Sequence, residues 1–172
     1  MLRKVRMDDP VAAAYEAALV LLTYRDRSLW EIRDRLKRKS YDEDVIEIVI
    51  IRLVDEGLLD DERFVHSAIR TGMGARPTGK RRLGYELKKK GIADEIINEG
   101  IREMYSDDDE EALAISLAEA RWERLSGLTA EKRLLRLTGY LSRRGFSYEA
   151  VKRALSHIRL NFLDTLDENE VQ

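Results

Sequence analysis

Residues 36–46 read LKRKSYDEDVI, residues 87–97 read LKKKGIADEII, and residues 141–151 read LSRRGFSYEAV. The three stretches superpose without a gap, 51 and then 54 residues apart. Each runs from a leucine through two or three bases to a small residue, then restarts with an acid and apolar residues. The agreement continues on both sides. Four residues before the leading leucine stand Ile32, Leu83 and Leu137. Downstream, Ile46, Ile97 and Val151 match, then Ile50, Ile101 and Leu155, then Leu53, Met104 and Ile158. Spacings of four, four and three keep one stripe of a helix apolar. Each copy therefore predicts two helices joined by a tight turn. Gly91 and Gly145 fill the place where a left-handed residue ends a helix. Ser40 fills it in the first copy, at a cost of about 1–2 kcal/mol if its backbone is left-handed.

A further helix precedes each pair: PVAAAYEAALVLLTYR from Pro10, DERFVHSAIRTG from Asp61 and DEEALAISLAEARWERLS from Asp109. Ser28 with Glu31 forms a capping-box pattern, Thr129 suits an N-cap, and Asp60 precedes two more acids. Gly57 is placed to close one helix, Leu58 and Leu59 to bridge to the next unit, and Asp60 to cap the helix that follows. The predicted fold is all-α, with three tandem three-helix, helix-turn-helix-like repeats at residues 10–57, 58–105 and 106–162. Residues 1–9 and 163–172 are expected to be flexible termini.

Composition agrees with helices and narrows the function classes. Of 172 residues, 37% are charged and only two are proline, and Leu, Glu, Lys, Arg and Ala lose little side-chain entropy in a helix. Cysteine is absent, which excludes disulfides and thiolate chemistry and fits a reducing cytoplasm. The longest apolar run, VIEIVII at residues 45–51, is interrupted by Glu47 and far too short for a membrane span, and the basic start MLRKVRMDDP has no apolar signal core. The expectation is a cytoplasmic protein without a membrane partner.

Charge is unevenly distributed. The formal net charge is −2, yet Arg76 to Ile92 holds seven bases against one acid. Against them stand DDDEE at residues 107–111 and four acids with no base in residues 161–172. Within KRRLGYELKKKGI, residues 80–92, the two ends read differently. Lysines in a last helical turn are favoured by the dipole, by roughly 0.3–1 kcal/mol each, so Lys88 to Lys90 need no ligand. Lys80, Arg81 and Arg82 occupy a first turn, where the dipole disfavours cations. With Leu83 and Leu87 pointing inward, Arg81, Arg82, Tyr85, Lys88 and Lys89 fall on the opposite arc. That is a basic face with one aromatic, which fits a phosphate or a carboxylate-rich protein surface.

No catalytic or metal-binding pattern accompanies it. Asp60, Asp61 and Glu62 invite a metal or acid–base reading, but acids belong at a helix start and no His or Cys stands at ligand spacing. No phosphate loop, nucleophile elbow or zinc signature occurs. Neither an enzyme nor a cofactor or metal is expected. Trp30 and Trp122 suit core or seam positions.

The segments GLLDDERF (57–64) and RPTGKRRLGYELKKKGI (76–92), set in a three-fold repeat of three-helix units, resemble the RecX family. The resemblance spans roughly residues 12–160. Gly57, Leu58, Leu59, Asp60, Asp61 and Phe64 fall on the first motif. Arg76, Gly79, Leu83, Glu86, Leu87, Gly91 and Ile92 fall on the second. Val65 stands where the family usually has a small residue, and Ser40 replaces glycine. The resemblance implies a small bacterial regulator of the RecA recombinase. It implies an elongated, curved array of modules lodged in the groove of the RecA–DNA filament, limiting strand exchange and ATP turnover without an active site of its own. The expected partners of this monomer are the RecA filament and, weakly or indirectly, DNA, reached through Arg76, Lys80, Arg81, Arg82, Tyr85, Lys88 and Lys89. A competing expectation is an autonomous helix-turn-helix-like DNA-binding protein.

Overall fold

In a computed structural model, which describes residues 9–162, the chain is helical. Among the described residues there are nine helices and no strand. They are α1 (Pro10–Tyr24), α2 (Leu29–Arg38), α3 (Glu43–Asp55), α4 (Asp61–Met73), α5 (Lys80–Lys88), α6 (Asp94–Met104), α7 (Asp107–Glu123), α8 (Ala130–Arg143) and α9 (Tyr148–Phe162). None of these helices is long and apolar enough to cross a membrane. The expectation of flexible termini falls outside the described residues except at Asp9, whose carboxylate caps α1 by accepting from the N–H groups of Val11 and Ala12.

Most of the repeated apolar positions are buried, and Ile101, Met104 and Leu155 are partly so. Ile32 and Leu36, Leu83 and Leu87, and Leu137 and Leu141 are all buried, as are Ile46, Ile97 and Val151. At the turn, Gly91 and Gly145 have φ of +74° and +80°, and Ser40 has φ of +63°. The first copy therefore carries the left-handed strain that its serine implies. Ser28 closes the capping box with Glu31, and Asp60 accepts from the Arg63 N–H at 2.9 Å. Thr129 stands at the N-cap of α8, but its side chain makes no capping bond.

By compactness the chain divides into two units, and the division passes through the second group of three helices. One unit runs to Val65 and also takes in Leu87–Ile97. Its core joins Ala14 and Ala18 of α1 to Ile32 and Leu36 of α2, to Ile46, Val49, Ile50 and Leu53 of α3, and to Leu59. The other unit comprises His66–Glu86 and the chain from Asn98 onward. Its core sets Ala114, Ala118 and Trp122 of α7 against Leu137 and Leu141 of α8, Phe146, and Ala150, Val151, Ala154 and Ile158 of α9. Alanines at i, i+4 on both α7 and α9 let these two backbones approach closely.

Candidate interaction surface

The start of α5 is built by residues from further along the chain. Glu110, on α7, is 1% exposed, and its Oε1 accepts the backbone N–H of Lys80 at 2.8 Å and of Ser147 at 3.3 Å. One carboxylate thus receives donors at the first turns of α5 and α9. The Lys80 ammonium pairs with Asp107 at 2.5 Å, and lies 5.4 Å from the ring centre of Tyr105. Tyr105 is itself buried, its hydroxyl donating to the Thr78 carbonyl at 3.1 Å, and burial with the nearby Glu110 and Asp109 charges holds that phenol protonated well above its ordinary range. The first-turn cations of α5 are therefore not left to oppose the helix dipole alone. The helix start and Lys80 are compensated by Glu110 and Asp107 of α7, in place of the unaided first turn expected from the sequence.

The loop after α8 completes the same junction. The N–H of Gly79 donates to the Arg144 carbonyl at 2.9 Å, and the N–H of Arg81 to the Gly145 carbonyl at 3.1 Å. Arg144 donates to the Pro77 carbonyl at 2.6 Å. A Cβ at Gly145 would lie 2.3 Å from Arg82 Cβ and 2.4 Å from its backbone nitrogen, so the close approach requires glycine. A parallel arrangement stands at the start of α2. Asp61 accepts the N–H of Leu29 at 2.9 Å, and the Ser28 hydroxyl donates to the Lys90 carbonyl at 2.6 Å. Lys90 pairs with Glu31 at 3.0 Å, and a Cβ at Gly91 would lie 2.3 Å from Trp30 Cβ and Cγ. Trp30, 47% exposed, is accordingly a seam residue, whereas Trp122 belongs to the core.

Position for position, Leu29 corresponds to Lys80, and Lys90 with Gly91 corresponds to Arg144 with Gly145. The chain thus repeats the joint between modules as well as the module. The acids of the GLLDDERF segment take part in it: Asp60 caps α4 and Asp61 caps α2. Burial pushes the Asp61 carboxyl up, against the hydrogen bond from Leu29. Among the described residues no group of three or more His, Asp or Glu is placed to hold a metal ion.

The predicted binding residues divide by their partners. Arg76, Arg81, Arg82, Tyr85, Lys88 and Lys89 are exposed and Lys80 is half-buried. Besides Lys80, Arg82 pairs with Glu86 at 2.7 Å and Lys88 with Asp94 at 2.7 Å. Exposed pairs of this kind contribute only about 0–1 kcal/mol, so they lower the local charge without locking the side chains. Tyr85 is 60% exposed.

Arg81 has no ion pair or side-chain hydrogen bond among the described residues. It lines a groove of about 390 Å³ along α8 and α9, together with Phe146, Val151, Leu155, Lys152 and Arg159. Lys152 and Arg159 were not singled out from the sequence, although a signal existed. At the Lys152 position the other copies have Glu47 and Asn98, and at the Arg159 position Val54 and Tyr105. Only the third copy is basic there.

Comparison with known proteins agrees with the repeated architecture. Family models for the first, second and third three-helix domains of RecX match residues 14–53, 60–101 and 108–155. The chain is 34% identical over 163 residues to the regulatory protein RecX of Pelodictyon phaeoclathratiforme, covering 95% of this chain and 98% of that one. It is 33% identical over 154 residues to the regulatory protein RecX of Prosthecochloris aestuarii, covering 90% and 99%. The crystal structure of RecX from Lactobacillus salivarius superposes with a TM-score of 0.80 at 28% identity, covering 90% of this chain and 99% of that one.

Proposed function

Because the chain belongs to the RecX family, we propose that it binds the RecA–DNA filament and restrains the recombinase and its ATP turnover, modulating homologous recombination and DNA repair. The observation that carries this reading is the match to all three RecX domain models in order. It is joined by likeness to proteins named regulatory protein RecX over almost the whole of both chains. On this reading the protein acts in the cytoplasm by binding alone and performs no chemistry of its own. Arg76, Arg81, Arg82 and Tyr85 suit a filament surface because all four are exposed. Three are cations, able to meet phosphate or carboxylate groups.

An autonomous DNA-binding role fits the charge less well. The formal net charge is −2 and the sequence pI about 5.9, whereas binding carried by phosphate contacts favours a strongly basic domain. RecA-promoted strand exchange and ATP hydrolysis, measured while the protein is titrated to equimolarity with RecA, separate the readings. A graded loss of both activities is expected. No inhibition at stoichiometric protein, with tight and steeply salt-dependent DNA binding in the absence of RecA, would overturn the proposal in favour of the second reading.

A further inference from the structure

The exposed side of α3 is apolar, although nothing in the fold requires it to be. Ile46, Val49, Ile50 and Leu53 point inward and are buried. On the exposed side, Ile48, Ile51 and Val54 follow one another at i, i+3 and i+6, a ridge about 9 Å long. They are 51%, 53% and 42% exposed, and Leu58, just past the helix, is 40% exposed. Single exposed aliphatics are ordinary, but a contiguous row marks a contact surface. β-branched residues also lose side-chain freedom in a helix, so the ridge serves neither the core nor the helix. The repeat does not impose it either. At these three positions the second copy has Glu99, Arg102 and Tyr105, and the third has Arg153, Ser156 and Arg159. Tyr105 is buried, and the other five are charged or carry a hydroxyl.

The charge around the ridge narrows what can cover it. Asp44 stands one turn before Ile48 and Asp55 one turn after Ile51, both exposed. Neither has an ion pair or a side-chain hydrogen bond among the described residues. The arginines that reach α3 are occupied. Arg33 pairs with Glu47, and Arg52 pairs with Glu56 at 2.8 Å and lies 3.9 Å from the ring centre of Tyr15. Nucleic acid is disfavoured, because its phosphates would meet two free carboxylates, and α3 offers no unpaired base to receive them. Two copies meeting ridge to ridge would bring like carboxylates together. The chemistry that matches is an apolar protein segment flanked by lysine or arginine.

We propose that the Ile48–Ile51–Val54 ridge and Leu58 dock on a protein segment that presents aliphatic side chains flanked by lysines or arginines, with those cations on Asp44 and Asp55. Given the function proposed above, on which this docking rests, the segment belongs to the recombinase subunits of the filament and not to their DNA. Four side chains cover far less than the roughly 800 Å² per partner of a stable interface, so the ridge is the apolar anchor of a larger contact. The chain then carries two contact surfaces of opposite sign, the basic face of α5 and the acidic, apolar face of α3.

Co-sedimentation of the full-length protein with RecA filaments preformed on single-stranded DNA tests the docking. I48Q/I51Q replaces two ridge residues with better helix formers, so the far-UV circular dichroism should stay unchanged while Kd for the filament rises about ten-fold. D55K, which puts a lysine in a last turn where it is favoured, should raise Kd about three-fold. Binding of I48Q/I51Q to the same DNA without RecA should match that of the parent. Filament binding by either variant that equals the parent's overturns the docking and leaves the proposed function standing. A parent that does not co-sediment overturns both. Weaker DNA binding by I48Q/I51Q in the absence of RecA would give the ridge to nucleic acid and overturn the docking. Loss of a concentration-dependent self-association in sedimentation velocity would give it to a second copy, with the same result.

Discussion

The Glu110 carboxylate accepts the Lys80 N–H at 2.8 Å from thirty residues away in sequence, and does so while 1% exposed. A buried carboxylate is tolerated only when its lone pairs are used, and here the donors are backbone groups at the starts of α5 and α9. The same joint, with Asp61 and Leu29 in place of Glu110 and Lys80, stands at the start of α2.

Removing that carboxylate therefore costs more than one helix cap. Glu110→Ala leaves two N–H groups without their acceptor and is expected to destabilise the protein by about 3 kcal/mol. Glu110→Gln keeps a carbonyl acceptor and should cost roughly 1 kcal/mol. Urea unfolding followed by far-UV circular dichroism measures both, and equal midpoints for the two variants would contradict the capping role.

Left-handed residues separate strain from close approach. Gly57 has φ of +68° with nothing within 4 Å of an added Cβ, so Gly57→Ala is expected to cost about 1–2 kcal/mol through backbone strain alone. Gly91→Ala also brings a Cβ to within 2.3 Å of Trp30 Cβ and Cγ, and should destabilise at least twice as much. Ser40→Gly relieves the strain at φ +63° and should stabilise by about 1 kcal/mol. Thermal denaturation of the three variants gives the order.

Acid stability depends on Glu31. Burial opposes its ionisation, but hydrogen bonds from Arg25, Lys90 and the Ser28 N–H outweigh burial and hold its carboxyl at about 2, below an ordinary value of 4.5. The folded state therefore favours the charged form. The resulting stabilisation, roughly 1–2 kcal/mol once solvent screening is allowed for, is in place above pH about 4.5 and is lost as pH falls through about 2. Asp61, pushed up by burial and also by the Glu31 charge, works in the opposite sense, so Glu31→Gln is compared with the parent in both the Asp61 and the Asp61→Asn backgrounds. That variant should lose stability at pH 7 and show little further loss attributable to this site between pH 5 and 2.

Arg81→Glu tests the binding face with the least structural consequence. Its side chain has no ion pair among the described residues. The urea midpoint should stay within experimental error, while the protein concentration needed to inhibit RecA strand exchange rises about ten-fold. Lys80→Gln is the converse, since it breaks the Asp107 pair and should lower stability measurably. A destabilised Arg81→Glu with unaltered inhibition would remove Arg81 from the interaction surface.

The legibility of the site differed from that of the fold for a physical reason. Ile32, Leu36, Ile46 and Leu53 were identifiable as core because helical periodicity is a local property, and their counterparts in the other copies repeated it. The left-handed turn at Ser40, Gly91 and Gly145 was readable because those residues follow the last basic turn directly. The fate of the basic stretch was not readable in the same way. Each cation looks alike in sequence, and only its neighbours in space distinguish it.

The sequence by itself determined nine helical segments in three copies, the stripe each copy buries, and the family to which the motifs at 57–64 and 76–92 pointed. Tertiary structure decided which charges remain available. It placed Asp107 on Lys80, Glu110 on the start of α5, and Lys152 and Arg159 in a groove with Arg81. Helix formation is set by residues within a turn or two. Charge compensation acts over a few ångströms of space, wherever in the chain the partner lies.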